Sequence, residues 1–254
     1  MIKFFRKIRQ QLLNEGKTAR YFKYAIGEIA LVMIGILLAL QVNNWNEMRK
    51  YRATEKDYID RLINEISLDI SYFDTIKKQF EYKETRMIRV ISAWQSNTLM
   101  VEDSLQYISD FKSAGDINPW YVEPVTWTQL IQTGDLKLIR DKELLDALFN
   151  YYNSIKRASD NFNQFPMRMN IKAREQWTEP FVDEPYESFN NIIDVDKLPN
   201  AMVFEKIWSK RHEYFNDYTA IAFICTNNKI VMKELETLSK EILETLKSYQ
   251  RQIN

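Results

Sequence analysis

The chain has 254 residues, 45% of them hydrophobic and 28% charged, enough for one domain with a packed core beyond any membrane segment. Its zero formal net charge hides a split: residues 1–46 hold seven Lys/Arg against Glu15 and Glu28, net +5, while the remainder holds 28 basic and 33 acidic residues, net −5, which argues against a nucleic-acid partner. Cys225, the one cysteine, excludes an internal disulfide, Cys225 and His212 alone are too few for an ordinary zinc site, and only Gly115 and Gly134 after residue 46 suits long helices, not a sheet with many tight turns.

Met1 to Leu13 reads as a basic amphipathic helix, with Met1, Phe5, Ile8 and Leu12 near one face and Lys3, Arg6, Lys7 and Arg9 on the flanks. Two readings stand side by side: a helix lying on anionic lipid, or a plain positive-inside topology signal. From Ile29 to Leu40 every residue is apolar or Gly, and Tyr24 to Val42 would measure roughly 28 Å as a helix, about one hydrocarbon core. Tyr21, Phe22 and Tyr24 before it and Trp45 after it provide interfacial aromatic anchors. A buried core helix needs a polar face that this run lacks, and a cleavable signal peptide needs a small-residue cleavage pattern that does not follow it. The basic residues concentrate before the span, which predicts the amino terminus in the cytoplasm and the bulk of the chain outside it.

Three stretches, Met1–Gln10, Tyr24–Ile29 and Ile34–Glu47, resemble a bacterial family of single-pass membrane proteins catalogued only as a domain of unknown function. A second block, Thr126-Trp127 through Leu130, Thr133–Leu136, Leu138-Ile139, Leu148 and Tyr151-Tyr152, is similar to that family's middle region. The resemblance implies a topology and carries no activity, cofactor or catalytic residue.

Glu28 is the one ionisable residue of the span. At about 100° per residue, Gly35 and Ala39 lie about 20° to either side of it. A carboxyl group sharing a stripe with small residues points to a helix–helix contact in the membrane through Glu28, Gly35 and Ala39; the structural alternative is a Glu28 that snorkels to the interface near Lys23. From Asn43 helical spacing continues, with Ile59, Ile66, Phe73, Phe80, Met87 and Trp94 recurring every seventh residue, which predicts one amphipathic helix to about Trp94. Asp69, Lys77 and Glu84 interrupt a strict seam and favour a bundle wall over a free coiled coil.

A shorter helix is expected over Val101 to Phe111, then a connection to Pro124. Thr126 is expected to cap a helix bearing Trp127, Leu130 and Ile131, stopped by Gly134, with Asp141 capping the next. Trp127, Thr133 and Gly134 form a candidate binding corner, or else the turn of a packed helix pair. Leu144 to Phe162 carries a long helix that Pro166 is expected to kink on its way to Trp177. Glu179 to Pro199 is acidic and proline-rich; it reads as a solvated connection or, less well for want of an Asp-x-Asp-x-Asp-Gly loop, a calcium site. Ala201 to Gln250 is expected to be one helix with Cys225 buried and inert, and no nucleophile, phosphate-loop or metalloprotease motif occurs.

These readings converge on an all-α protein: a single transmembrane helix (24–46) behind a cytoplasmic segment (1–23), followed by an extracytoplasmic antiparallel helical bundle (47–254) of about four or five helices. The function expected is non-catalytic, a bacterial inner-membrane interaction or scaffold protein that contacts lipid and a protein partner or a second copy, with no cofactor. Two alternatives remain: a periplasmic ligand-sensing domain that passes its signal to a partner chain, and an accessory subunit of an energy-coupled complex that uses Glu28.

Overall fold

The computed structural model describes residues 18–97, 104–116, 120–178 and 200–253. Among these the regular elements are all helical: α1 (Thr18–Ser96), α2 (Ser104–Ser113), α3 (Val125–Thr133), a 3-10 turn (Asp135–Leu138), α4 (Lys142–Thr178), α5 (Asn200–Ser209) and α6 (Arg211–Ile253). The amphipathic reading of Met1 to Leu13 and the acidic connection Glu179 to Pro199 lie outside the described residues. The chain divides into two compact units, residues 1–57 and 58–254.

In the first unit, α1 is long and apolar enough to cross a membrane: its most apolar 18-residue window has a mean hydropathy of 2.3, and none of that window is buried in the protein. Ile29, Val32, Met33, Ile36, Leu37 and Leu40 all stand exposed. Beyond the run, Asn43 Nδ2 donates to Glu47 Oε1 at 3.1 Å and the Arg49 guanidinium lies 5.8 Å from the Trp45 ring centroid, so polar pairs follow the apolar surface directly.

In the second unit the seven-residue repeat of α1 is the spine of the core. Ile59, Ile66, Phe73, Phe80, Met87 and Trp94 are all buried, each such side chain contributing roughly 2 kcal/mol of transfer free energy. Around Phe73 and Phe80 the core is a chain of edge-on rings, Phe73 against Trp120 at 6.4 Å and Phe80 against Phe162 at 5.9 Å. Around Trp94 it is a second aromatic cluster, in which Phe111 stacks on Tyr218 at 4.7 Å, Trp94 Nε1 donates to the Tyr107 hydroxyl at 2.6 Å, and the Tyr218 hydroxyl donates to the Phe111 carbonyl at 3.0 Å.

The charged residues that interrupt the seam each find a partner on another helix. Asp69 Oδ2 accepts from the Tyr151 hydroxyl of α4 at 2.6 Å, and that hydroxyl lies 3.2 Å from Ser239 Oγ of α6. Lys77 Nζ reaches Glu236 at 2.9 Å, Glu84 takes Lys229 and the Thr226 hydroxyl, and Asp60 takes Gln250 Nε2 at 2.5 Å. Positions rising along α1 thus pair with positions falling along α6.

Lys83 is 4% exposed, and both hydrogen bonds it donates go to uncharged oxygens, Asn170 Oδ1 at 2.7 Å and the Asp116 carbonyl at 2.8 Å. Burial pushes its ammonium pKa down to about 8. The turn that it grips contains Gly115, where an added Cβ would sit 2.8 Å from Arg174 Cα of α4. This glycine is there for close approach of two backbones.

Helix ends follow local chemistry. Gly134 takes the left-handed conformation (φ 72°) and its N–H closes on the Ile131 carbonyl, as expected for a helix stop, and Asp141 Oδ1 accepts the N–H groups of Glu143 and Leu144 at 2.9 and 3.1 Å. One expectation differs. The last helix is not continuous from 201 to 250: it breaks at Lys210, where Arg211 Nη1 donates to the Trp208 carbonyl at 2.9 Å while its guanidinium covers the Trp208 ring, so a side chain replaces the intrahelical donor. Pro166 lies inside α4, which runs on to Thr178. Ile207 of α5 and Tyr218, Ile221, Leu235, Ile242 and Leu246 of α6 are buried.

Gly115→Ala is expected to lower stability by about 1–3 kcal/mol, because the clash is with main-chain atoms that cannot rotate away. Urea unfolding of the detergent-solubilised full chain, followed by far-ultraviolet dichroism, measures it; an unchanged midpoint would remove the close-packing account of this glycine.

Candidate functional site

The sequence proposes two places, and each lies within one unit. On the apolar run of α1, Gly35 and Ala39 are exposed and Glu28 is half-buried; a Cβ added at Gly27 or Gly35 would meet nothing within 4 Å. No described part of the chain covers the small-residue stripe.

At the other place, Trp127, Thr133 and Gly134 do not converge on one cavity. Thr133 and Gly134 are exposed at the end of α3, where the Thr133 hydroxyl donates back to the Gln129 carbonyl at 2.9 Å. Trp127 is buried near the start of α3 and stacks on Tyr152 of α4, ring centroids 5.0 Å apart with planes 16° off parallel, while Phe149 meets it edge-on at 4.7 Å. Trp127 and Tyr152 wall a cleft of about 380 Å³ together with Val122, Ile155, Lys156 and Asp160.

Thr126 does not cap α3 as the sequence suggests. The helix begins at Val125 behind Pro124, with no capping side chain of its own, and Thr126 is fully buried inside the first turn. The cap comes from α1: Glu65 accepts the Thr126 N–H at 3.0 Å on Oε1 and 3.2 Å on Oε2, and its Oε1 takes the Thr126 hydroxyl at 2.5 Å. A carboxylate at a helix amino terminus satisfies an orphan donor and complements the helix dipole, so the trade is favourable although the partner is 61 residues away.

Glu65 brings Asp69 with it, one turn further along α1. These two line a second cleft, of about 280 Å³, with Tyr72, Tyr121, Glu123 and Tyr152. Tyr121, Val122, Pro124 and Tyr152 line both clefts, and the Tyr72 hydroxyl accepts the Tyr121 N–H at 3.1 Å. Burial pushes the Asp69 carboxyl up to about 6, held back by the Tyr151 hydroxyl and raised further by the Glu65 charge. Tyr152 is raised well above the ordinary phenol range by burial and then by the charges of Glu65 and Asp69. Among the described residues its hydroxyl has no hydrogen-bond partner.

A third concavity, about 510 Å³, runs between α4 and α6 past Ala158, Phe165, Pro166, Phe223, Asn227 and Leu238, and Phe223 at its lip is 72% exposed. Cys225 is buried and its thiol is pushed up to about 11 by burial, which leaves little thiolate at neutral pH. His212 is exposed on α6. Among the described residues no group of three or more His, Cys, Asp or Glu is placed to hold a metal ion. Glu65, Asp69 and Lys83 were not singled out as site residues from sequence; the available signal was Asp69 itself, a carboxylate on an apolar seam, with Glu65 four residues before it.

Residues 28–117 match a family of unknown function (DUF6090), a stretch that contains Glu28, Glu65, Asp69 and Lys83 and stops before Trp127. No curated protein and no solved structure matches the chain.

Two measurements check this geometry. Glu65→Ala removes a charged hydrogen bond to a buried main-chain donor and is expected to cost about 1.5–3 kcal/mol; in a double-mutant cycle with Thr126→Val the losses should fall short of additive by about 1 kcal/mol, and full additivity would mean the pair is uncoupled. For Asp69 the folded pKa lies above the unfolded value of 3.8, so the folded state keeps a proton that the unfolded chain has released: this group's contribution falls as pH rises from about 4 to about 6 and is level above that. Asp74, Glu84, Asp135 and Glu236 are shifted down, so their contributions are lost at lower pH, as it falls through their folded values. Asp69→Asn keeps an acceptor for Tyr151 and should match the wild type near pH 4 and exceed it by on the order of 1–2 kcal/mol at pH 7.5, allowing for the carboxyl's partial exposure; a gap independent of pH would contradict the assignment.

Proposed function

We propose that the protein is a non-catalytic, membrane-anchored interaction protein, held in a bacterial inner membrane by residues 24–46 with its amino terminus in the cytoplasm and its 58–254 unit outside as an antiparallel helical bundle. The observation that carries this reading is the wholly exposed apolar window of α1. A contiguous surface of Ile, Leu, Val and Met cannot be left in water, and a helix that satisfies its own backbone hydrogen bonds is the form in which lipid accepts a single segment. The excess of Lys and Arg before the span supports the orientation. The pairing of Asp60 with Gln250, Lys77 with Glu236 and Glu84 with Lys229 supports the antiparallel arrangement.

Protein binding is supported by the exposed Phe165 and Phe223 beside the α4–α6 groove, on a unit whose other large aromatic side chains are mostly in the core. A ligand-sensing reading is favoured by one observation, the unpartnered Tyr152 hydroxyl between two clefts. The stripe Glu28, Gly35 and Ala39 is the proposed contact with a second helix in the membrane, whether a partner's or another copy's.

Carbonate washing should leave the native protein in the membrane pellet, and protease added to intact spheroplasts should digest the 58–254 unit. Purification from native membranes should retain a fixed protein partner that Phe223→Asp releases, while the thermal midpoint moves by no more than about 2 °C because the site is exposed. Release by carbonate, or a protected unit, would overturn the reading.

A further inference from the structure

We propose that the cleft enclosed by Glu65, Asp69, Tyr72, Tyr121, Glu123 and Tyr152 is a binding site for an alkylammonium group. The lining carries three carboxylates and three phenol rings and no basic side chain. A carboxylate cluster alone is often only a solvated surface, and here Glu65 is already occupied as the cap of α3. The independent observation is Tyr152: it is 7% exposed, it lines this cleft, and its hydroxyl oxygen is buried without a hydrogen-bond partner among the described residues. A buried hydroxyl left unpaired costs on the order of 1–3 kcal/mol, so a ligand that engages it recovers free energy the empty cleft forfeits.

The ring is not free to turn away. Trp127 stacks on one face at 5.0 Å and Tyr151 meets it edge-on at 4.9 Å, so the hydroxyl is held where the charges of Glu65 and Asp69 act on it. Among the described residues Asp69 receives a donor at Oδ2, from Tyr151, and none at Oδ1, which leaves Oδ1 as an acceptor. The donors that these oxygens lack are N–H groups carried by a cation. A primary ammonium has three, one each for Asp69 Oδ1 and the Tyr152 oxygen and one for water or Glu123, and its alkyl stem and charge suit the Tyr72 and Tyr121 rings. An anion meets three like charges. A bare metal ion is disfavoured because these carboxylates do not converge as a ligand set.

The same ammonium chemistry is carried by a small diffusible amine and by a lysine side chain on a partner protein, and the experiment separates them. The full chain in detergent micelles is titrated calorimetrically with 1,4-diaminobutane, with Nα-acetyl-lysine amide, and with tetramethylammonium and KCl at matched ionic strength. The expected result is saturable binding of at least one primary amine, with tetramethylammonium at least five-fold weaker because it has no N–H, and at least five-fold loss of affinity in both Asp69→Asn and Tyr152→Phe. Both variants conserve shape, Tyr152→Phe keeping the stack on Trp127, and their thermal midpoints verify folding; for any variant that fails to fold, competition between the amines and tetramethylammonium on the wild type decides. Tighter binding of the diamine assigns a free amine, and tighter binding of the lysine derivative assigns a partner's side chain. Heats no larger than those of KCl, equal affinity for tetramethylammonium, or wild-type binding by both folded variants would overturn the proposal.

Discussion

The stripe of α1 from Ile59 to Trp94 is the surface on which the second unit is assembled. One apolar side chain every seventh residue places a continuous ridge of Ile, Phe, Met and Trp on one side of a helix, and each of those positions is buried. Apolar contact is non-directional, so a ridge of that kind leaves the sliding of neighbouring helices weakly determined. The charges resolve it. Asp69, Lys77 and Glu84 interrupt the ridge at single points, and each finds a partner across the bundle on α4 or α6: Tyr151, Glu236, and Lys229 with Thr226. Each of these groups is half-buried, so a shift by one turn would forfeit several such pairs at once.

Lys83 applies the same logic to a loop. Its ammonium is buried, and its two neutral acceptors tie the turn after α2 to Asn170 of α4. Gly115 lets the backbones close to the distance those bonds require. The depressed pKa of the lysine is the physical cost of that arrangement, offset by the ordering of a segment with little apolar surface of its own.

The carboxylate cleft grows out of the capping of α3. Glu65, committed to Thr126, and Asp69, on the next turn, line the cleft together; burial raises the Asp69 carboxyl and the Glu65 charge adds to it, while the Trp127 stack holds Tyr152 at the cleft. The helix cap, the raised carboxyl and the unpartnered phenol thus meet at one place. The α4–α6 groove lies at different residues of α4 and has a different character, apolar with asparagine at its base, so the unit offers two chemically distinct surfaces.

Much of this was legible in the residues. The apolar run without a polar face, the repeat from Ile59 to Trp94, the stop at Gly134 and the cap at Asp141 each depend on neighbours within one or two turns, and local chemistry is what a linear sequence records directly. What it could not record is which distant residue completes a local need. Thr126 has the composition of a cap and is instead capped by Glu65; Arg211 terminates a helix that periodicity alone carries through; Thr133 and Gly134 share a motif with Trp127 but not its cavity. The sequence by itself determined the helices, the apolar run and the seam, because periodicity and hydropathy are sums over adjacent side chains. Only the tertiary structure decided the site, because hydrogen bonding and burial of an ionisable group depend on atoms brought together from positions tens to hundreds of residues apart.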